Sequence, residues 1–415
     1  MTTTDIHQQG SSKLSKRNAQ NMQLILWISA LIVGATLGLF SIEWLNNSMD
    51  FIATVFTRLF QFLSVPTIAL AIVNTLASMG KQASAGHIFR RTIQYTILTT
   101  AIAAIVGLLL YVVISPQAIA TTGTNDVLSG EQISFYDHII SVIPNNTIQP
   151  FLAGNVLSIL IIAFAVGIAL ANLPETEQKQ TLTKVFLSLQ DVVFYLIKWL
   201  IKVLPIGIVA FAAQLSAQLS SGVVAESLGK YVAVILCGNI FQFFIVLPLF
   251  LLSKGLSPIR TMSSMSPAIL MALFTKSSAA TLPVTIETAE NRLHVNNRIS
   301  RFVLPICTTV NMNGCAAFIL VTSLFVMQNA GIELSVSTML IWLVISVVSA
   351  IGNAGVPMGC YFLTFSLMSG MGVPVAILGM ILPIYTIIDM IETAENVWSD
   401  SCICAAVNKD LSTQV

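Results

Sequence analysis

The chain has 415 residues, of which 55% are hydrophobic and only 9% charged, and its mean hydropathy is +0.86. A soluble domain carries roughly 25% charged residues, so this composition cannot cover a water-facing surface and excludes soluble enzymes, nucleic-acid binders and disordered regulators. The net charge of +1 singles out no partner, and the class that remains is an all-α polytopic membrane protein.

In chain order, a polar tail over residues 1–22 lacks the early apolar core of a cleaved signal, so the first apolar run reads as a retained helix. Apolar runs follow at 23–41, 51–79, 92–115, 139–172, 185–215, 229–253, 302–327 and 373–405. Each is long enough to cross about 30 Å of hydrocarbon. Two further stretches, 264–290 and 336–371, are apolar but interrupted by Gly, Pro and Ser. They read as re-entrant hairpins, and non-helical backbone at membrane depth survives only where protein or a cavity surrounds it. A short tail over 409–415 ends the chain.

Lys and Arg test this layout. Lys13, Lys16 and Arg17 precede the first run, and Lys81, Arg90 and Arg91 separate the second from the third. Lys179 and Lys184 follow the fourth, Lys198 and Lys202 lie early in the fifth, Lys254 and Arg260 follow the sixth, and Arg292, Arg298 and Arg301 precede the seventh. Lys409 follows the last run, while the loops 116–138 and 328–335 have no Lys or Arg. The positive-inside rule then predicts eight spans with both termini cytoplasmic, the first hairpin entering from inside and the second from outside. Arg58 lies within the second run and must snorkel or find a partner.

Residues 302–408 contain no Lys or Arg, yet the last run carries Asp389, Glu392, Glu395 and Asp400. Asp389, Glu392, Thr393, Asn396 and Asp400 follow a helical i, i+3, i+4, i+7, i+11 stripe, with Glu395 off it. Each acid facing lipid at mid-bilayer costs roughly 2.5–3.5 kcal/mol. The stripe therefore packs on other helices with its polar groups satisfied, or it forms a cation or substrate site. The seventh run has a second polar break, Thr308 to Gly314, where Asn and Gly weaken the helix. Carbonyls unwound there are hard oxygen ligands suited to an alkali cation; a tight helix crossing at Gly314 is the other reading.

Both hairpin tips, Lys276–Thr285 and Ala350–Pro357, are small-residue turns ending in an aliphatic residue and Pro. Ser hydroxyls or backbone N–H groups there suit a carboxylate, although small residues also serve close packing alone. The halves rhyme. Pro283 closes the first tip and Pro305 stands six residues before Asn311; Pro357 closes the second and Pro383 stands six residues before Asp389. Hairpin, span and polar break thus occur twice as an inverted repeat, with a site expected at the interface. The six cysteines (237, 307, 315, 360, 402 and 404) lie in or at the ends of apolar segments and the four histidines in polar connections, so neither a disulfide framework nor a transition-metal site is predicted.

These motifs resemble the dicarboxylate/amino acid:cation symporter family, the glutamate-transporter fold, most specifically over 274–400. FTKSSAATLPVT is similar to the family's serine-rich hairpin, NMNGCAA to its NMDGT break, and DMIETAENVWSD to its last helix. Within the family, Asp389, Glu392 and Thr393 through Asn396 most resemble the D-x-x-E-T-A-x-N of sodium-coupled serine/threonine symporters. The resemblance implies a homotrimer in a bacterial inner membrane, with elevator-type alternating access and no covalent cofactor. Scaffold spans would fill 23–260, of which the third and sixth travel with a transport core over 261–408. It further implies that Ser277 and Ser278, with backbone around Val356, hold the substrate carboxylate. Asp389 would take the ammonium group, and Thr393 and Asn396 would complete the pocket. Cys315 stands where acidic-substrate members have Thr. One sodium ion would lie on Asp400 with carbonyls of Cys307, Asn311 and Asn396, and a second on carbonyls of Thr309, Ala350, Ile351 and Asn353. Thr99, Thr100 and Asn313 match a third site, with Asn313 in place of the family's Asp and Thr96 in place of its Tyr.

Glu392 stands where acidic-substrate members place an Arg. Like charge there opposes a second substrate carboxylate, so the leading expectation is a sodium symporter for small neutral amino acids such as serine or threonine. Alternatives are transport of acidic amino acids or dicarboxylates, proton coupling through Glu392, and an uncoupled cation channel. No Ser–His pair, metal cluster or nucleotide loop supports an enzyme, and no nucleic-acid partner is expected.

Overall fold

The computed structural model describes residue 26 and residues 29–40, 42–82, 86–119, 143–153, 156–218, 222–353 and 358–412, and regular structure there is helical throughout. A helical stretch over 29–37 precedes α1 (Glu43–Gln82) and α2 (His87–Ile114). Next come α3 (Gln149–Ala153), α4 (Val156–Asn172) and α5 (Glu177–Gln218). The sixth run forms α6 (Gly222–Phe241), a π-turn (Gln242–Val246) and α7 (Leu247–Ser253).

The C-terminal part contains two helix pairs and two further helical segments. The first pair is α8 (Pro258–Thr275) and α9 (Ser278–Asn291). The seventh run is split into α10 (Asn297–Val310) and α11 (Asn313–Asn329). The second pair is α12 (Val336–Ala350) and α13 (Gly359–Gly370), with a 3-10 turn at Ile351–Asn353. Helix α14 (Ala376–Ser412) closes the fold.

Six helical stretches among the described residues are long and apolar enough to cross a membrane: Glu43–Ser78, His87–Ile114, Glu177–Gln214, Glu226–Ser253, Asn297–Asn329 and Ile377–Leu411. Eight are predicted from sequence. The first run is described only in part. The fourth is not one helix: non-helical backbone runs over 143–148, where the Asn146 side chain accepts from the N–H groups of Ile148 and Gln149 at 3.0 and 2.7 Å. An Asn that caps the following turn stops the preceding one, and Pro144 reinforces the stop. Arg58 is exposed on α1.

Helix α1 packs on α4 and α5, whereas α2 packs on α11 and α6. The 29–37 stretch joins the first group through Gly34 and Gly38, one turn apart. A side chain on either would strike the backbone of α5 at Val209 or Ala213, the close approach that small residues permit between membrane helices. Every residue from Asn313 to Met327 is buried, so α11 is a central helix, apolar on all sides. Tyr231 on α6 holds it through a 2.8 Å hydrogen bond to Thr322. Large apolar side chains such as Phe51, Phe62, Leu109, Val113 and Leu249 lie exposed on outer helices, as lipid contact requires.

Two details of the inverted repeat differ from expectation. The first pair turns at Lys276–Ser277, where Lys276 has φ +54° and the Ser277 hydroxyl caps α9 by accepting from Ala280 N–H at 3.1 Å. Pro283 therefore lies inside α9 rather than closing the tip; the cap and the left-handed residue, not the proline, set the turn. The polar break also occurs once, not twice. Asn311 and Met312 interrupt the seventh run, but α14 continues unbroken through Asp389. Asn-Met-Asn-Gly supplies poor helix formers, while Met390, Ile391, Glu392 and Ala394 favour continuation.

Candidate functional site

The break between α10 and α11 leaves backbone groups that must find partners. Asn311 N–H donates to the Cys307 carbonyl at 2.8 Å, and Gly314 N–H turns to the Asn396 side chain, 3.0 Å away on α14. Among the described residues no backbone N–H reaches the carbonyls of Thr308, Thr309 or Val310. Gly314 also brings α11 onto α14: a side chain there would meet the Glu392 Cβ at 3.0 Å. The tight crossing and the unwound break are thus both present.

A small polar cavity opens at this crossing, lined by Lys276, Ser278, Met312, Cys315, Asn353, Asp389, Glu392, Thr393 and Asn396. Five of these, Ser278, Cys315, Asp389, Glu392 and Thr393, are among the sequence-derived substrate residues, and Asn396 is a sixth. Ser277 caps α9, and Val356 lies outside the described residues. Asp389 Oδ2 accepts from Met358 N–H at 3.1 Å, tying the start of the second pair's returning arm to α14. The Tyr385 hydroxyl lies 3.4 Å from Asp389 Oδ1 and 3.3 Å from Glu392 Oε2; its single proton serves one at a time. Glu392 Oε1 and both carboxylate oxygens of Glu395 are buried without a hydrogen-bond partner among the described residues. The Lys276 ammonium acts electrostatically on Asp389, so the lining carries two acids and one base.

A second polar cluster flanks the break. Asn311 Nδ2 donates to Asp400 Oδ1 at 2.8 Å and to Ser399 Oγ at 2.9 Å, and Asn313 Nδ2 donates to Ser399 at 2.8 Å. Thr99 donates to Asn311 Oδ1 at 3.2 Å, and Thr100 to Asn313 Oδ1 at 2.9 Å. Asn311 and Asp400, attributed to the first cation site, and Thr99, Thr100 and Asn313, attributed to the third, therefore meet in one network. Those attributed to the second gather where α10 packs on the 3-10 turn: Thr309 on α10, Ala350 at the end of α12, and Ile351 and Asn353 in the turn. The buried Asp400 carboxylate and the carbonyls of the break that lack backbone partners among the described residues are oxygen donors of the kind that suits an alkali cation.

Several participants carry no role in the sequence reading. Lys276 stands at the head of the first tip, where the sequence marks only a turn. Tyr385 continues the acidic stripe one turn earlier, a spacing that marks it in hindsight. Ser399 and the π-turn residue Gln242, which donates to the Thr99 carbonyl at 3.2 Å, have no local signal. No disulfide framework is predicted from the sequence, yet one pair, Cys315 and Cys360, is disulfide-bonded across 45 residues. A contact made only by the fold, between α11 and α13, has no spacing pattern to read. With Glu392 these two residues are also the one cluster of three metal-ligating side chains found among the described residues.

An all-helical chain with apolar outer faces, a helix broken at depth and a buried polar cavity bounded by helix ends is an integral membrane transporter in construction. The chain belongs to the sodium:dicarboxylate symporter family, whose model matches residues 24–410. It is similar to the neutral amino acid transporter B(0) of Oryctolagus cuniculus, with 27% identity over 92% of this chain and 79% of that protein. The excitatory amino acid transporter 3 of Homo sapiens is 25% identical over 94% of this chain and 85% of its own length. The human neutral amino acid transporter A is 32% identical over 60% of this chain, which is 46% of its own length. The family consists of transporters rather than enzymes, and its coupling ion is sodium.

Proposed function

We propose that this protein is a secondary active symporter that moves small neutral amino acids, serine or threonine first among them, with sodium ions. The observation that carries the substrate class is Glu392: it lines the cavity, is buried, and keeps one oxygen without a partner among the described residues. An amino-acid zwitterion presents one ammonium and one carboxylate. Asp389 answers the first, and the Ser278 end of α9 with Lys276 answers the second. Glu392 then faces the substrate side chain, where a hydroxyl can donate to it and a second carboxylate meets like charge. Relatives named for neutral and for excitatory amino acids both support an amino-acid substrate.

Sodium is cargo here. Asp400 with carbonyls of Cys307, Asn311 and Asn396 would form one site, and Thr309, Ala350, Ile351 and Asn353 a second, with Thr99, Thr100 and Asn313 as a third. The packing of α1 on α4 and α5, separate from that of α2 and α6 on α11, supports a scaffold within 23–260 and a core over 261–408 that moves with spans three and six. Eight spans with two re-entrant hairpins, cytoplasmic termini, a homotrimer and a bacterial inner membrane complete the reading. One observation favours an acidic substrate instead: Lys276 in the lining supplies a cation for a second carboxylate. Competition of unlabelled aspartate and serine for labelled serine uptake in proteoliposomes separates the two. Strong competition by aspartate contradicts the neutral reading.

A further inference from the structure

Cys315 opens the second half of the broken span and faces the cavity; Cys360 lies in the first turn of the returning arm α13. Their Cα atoms are 5.4 Å apart, within the range of roughly 4.4–6.8 Å that a bridge spans without backbone movement. Asn353, also in the cavity wall, donates its amide to Cys315 Sγ at 2.8 Å and to Cys360 Sγ at 3.3 Å. The pair is thus built into the wall of the site.

We propose that Cys315 and Cys360 are a reversible thiol–disulfide site that pins α13 to α11, and that the pinned form does not transport. The cavity-lining side chains of Ser278, Met312, Cys315, Asp389, Glu392 and Asn396 are buried and Lys276 is half-buried, and the space between them holds about one water, so an amino acid enters only when a wall moves. The arm held by the bridge begins at Met358, whose N–H occupies Asp389 and whose φ is +60°. An ammonium group that takes Asp389 Oδ2 displaces that N–H, and the arm then shifts. The bridge keeps α13 beside α11 and opposes the shift.

The reagent class is a low-molecular-weight disulfide, R–S–S–R. One cysteine sulfur attacks it, forms a mixed disulfide and expels one R–S⁻; the second cysteine attacks the protein sulfur of that mixed disulfide and expels the other. The two cysteine protons end on the two released thiols. The protein loses two electrons, which reduce the reagent, and two equivalents of thiol reverse the exchange. The inference rests on the transporter reading of the cavity and not on which amino acid fills it.

The test uses purified protein in proteoliposomes, reduced with dithiothreitol and then titrated with oxidised glutathione. Peptide mass spectrometry without reduction gives the fraction of Cys315–Cys360 linkage. In parallel, the initial rate of sodium-driven uptake is read for whichever amino acid a panel identifies. The expected result is a rate that falls with the linked fraction, about tenfold or more near full linkage, and returns with dithiothreitol. Cys360→Ser, compared with its own reduced rate, loses less than about twofold under the same oxidant. Linkage without loss of rate, no linkage at all, or equal loss in Cys360→Ser overturns the proposal. So does bridge formation in a protein that transports nothing in either redox state. If Cys360→Ser does not fold, the wild-type relation between linkage and rate decides. Because linkage is read without a substrate, a wrong choice of amino acid changes the panel result and not this one.

Discussion

Asp389 accepts from two donors, the Met358 N–H and the Tyr385 hydroxyl, and feels the Lys276 charge. Replacing its carboxylate with an amide keeps the shape and removes the charge that answers a substrate ammonium. A hydrogen bond to a charged group contributes about 1.5–3 kcal/mol, so Asp389→Asn is expected to weaken substrate binding by roughly 10- to 150-fold while the protein still inserts. Equilibrium binding of labelled serine checks this, and affinity like that of the wild type contradicts the role. Asp400 is held by Asn311 and is the only side-chain carboxylate attributed to a sodium site. Asp400→Ala is expected to raise the half-maximal sodium concentration roughly tenfold or more, measured as uptake against sodium at fixed amino acid. At Glu392, substitution by Arg removes the repulsion of a second carboxylate and offers it a bidentate partner. Glu392→Arg is expected to slow serine transport and to let aspartate compete. A mutant that folds, uses sodium and still ignores aspartate shows that Glu392 does not set selectivity.

At the scale of helices, Gly314 carries the crossing of α11 over α14, since a methyl group there meets the Glu392 side chain. Overpacking at such contacts costs about 1–3 kcal/mol. Gly314→Ala is expected to lower thermal stability in detergent and to weaken serine binding, because the Gly314 N–H also orients Asn396. A binding constant that stays at the wild-type value contradicts this coupling. What was readable beforehand follows the same physics. The acidic stripe of α14 was legible because periodicity and an unpaid burial cost lie along one helix, and the α10–α11 break because Asn311, Asn313 and Gly314 disfavour helix locally. The interruption of the fourth run at 143–148 is not legible in the sequence because hydropathy does not register a capping Asn. The second break near Asp389 was expected from the spacing of Pro383, although the residues that follow it favour helix. Lys276 in the cavity, Ser399 between two asparagines, and the Cys315–Cys360 pair depend on which helices meet, information that a single chain's periodicity does not carry.

For the molecule as a whole, Asp389, Glu392 and Asp400 are buried on one helix, α14, within a long stretch free of Lys and Arg. A region that collects negative charge in a low-dielectric interior favours entry of cations together with a zwitterion. One net charge moving through 100 mV supplies about 2.3 kcal/mol, which corresponds to roughly fifty-fold accumulation of the amino acid, before any sodium gradient adds to it. Uptake into proteoliposomes is therefore expected to rise when a potassium diffusion potential makes the interior negative, and a rate indifferent to the potential contradicts net inward movement of positive charge.

The most direct measurement is initial uptake of a panel of radiolabelled amino acids into proteoliposomes containing the purified protein, with an inward sodium gradient and with sodium replaced by choline. The expected result is saturable, concentrative uptake of serine and threonine that requires sodium, with aspartate, glutamate and C4-dicarboxylates at background. Sodium-driven accumulation of aspartate at a rate matching serine, or serine uptake unchanged in choline, contradicts it.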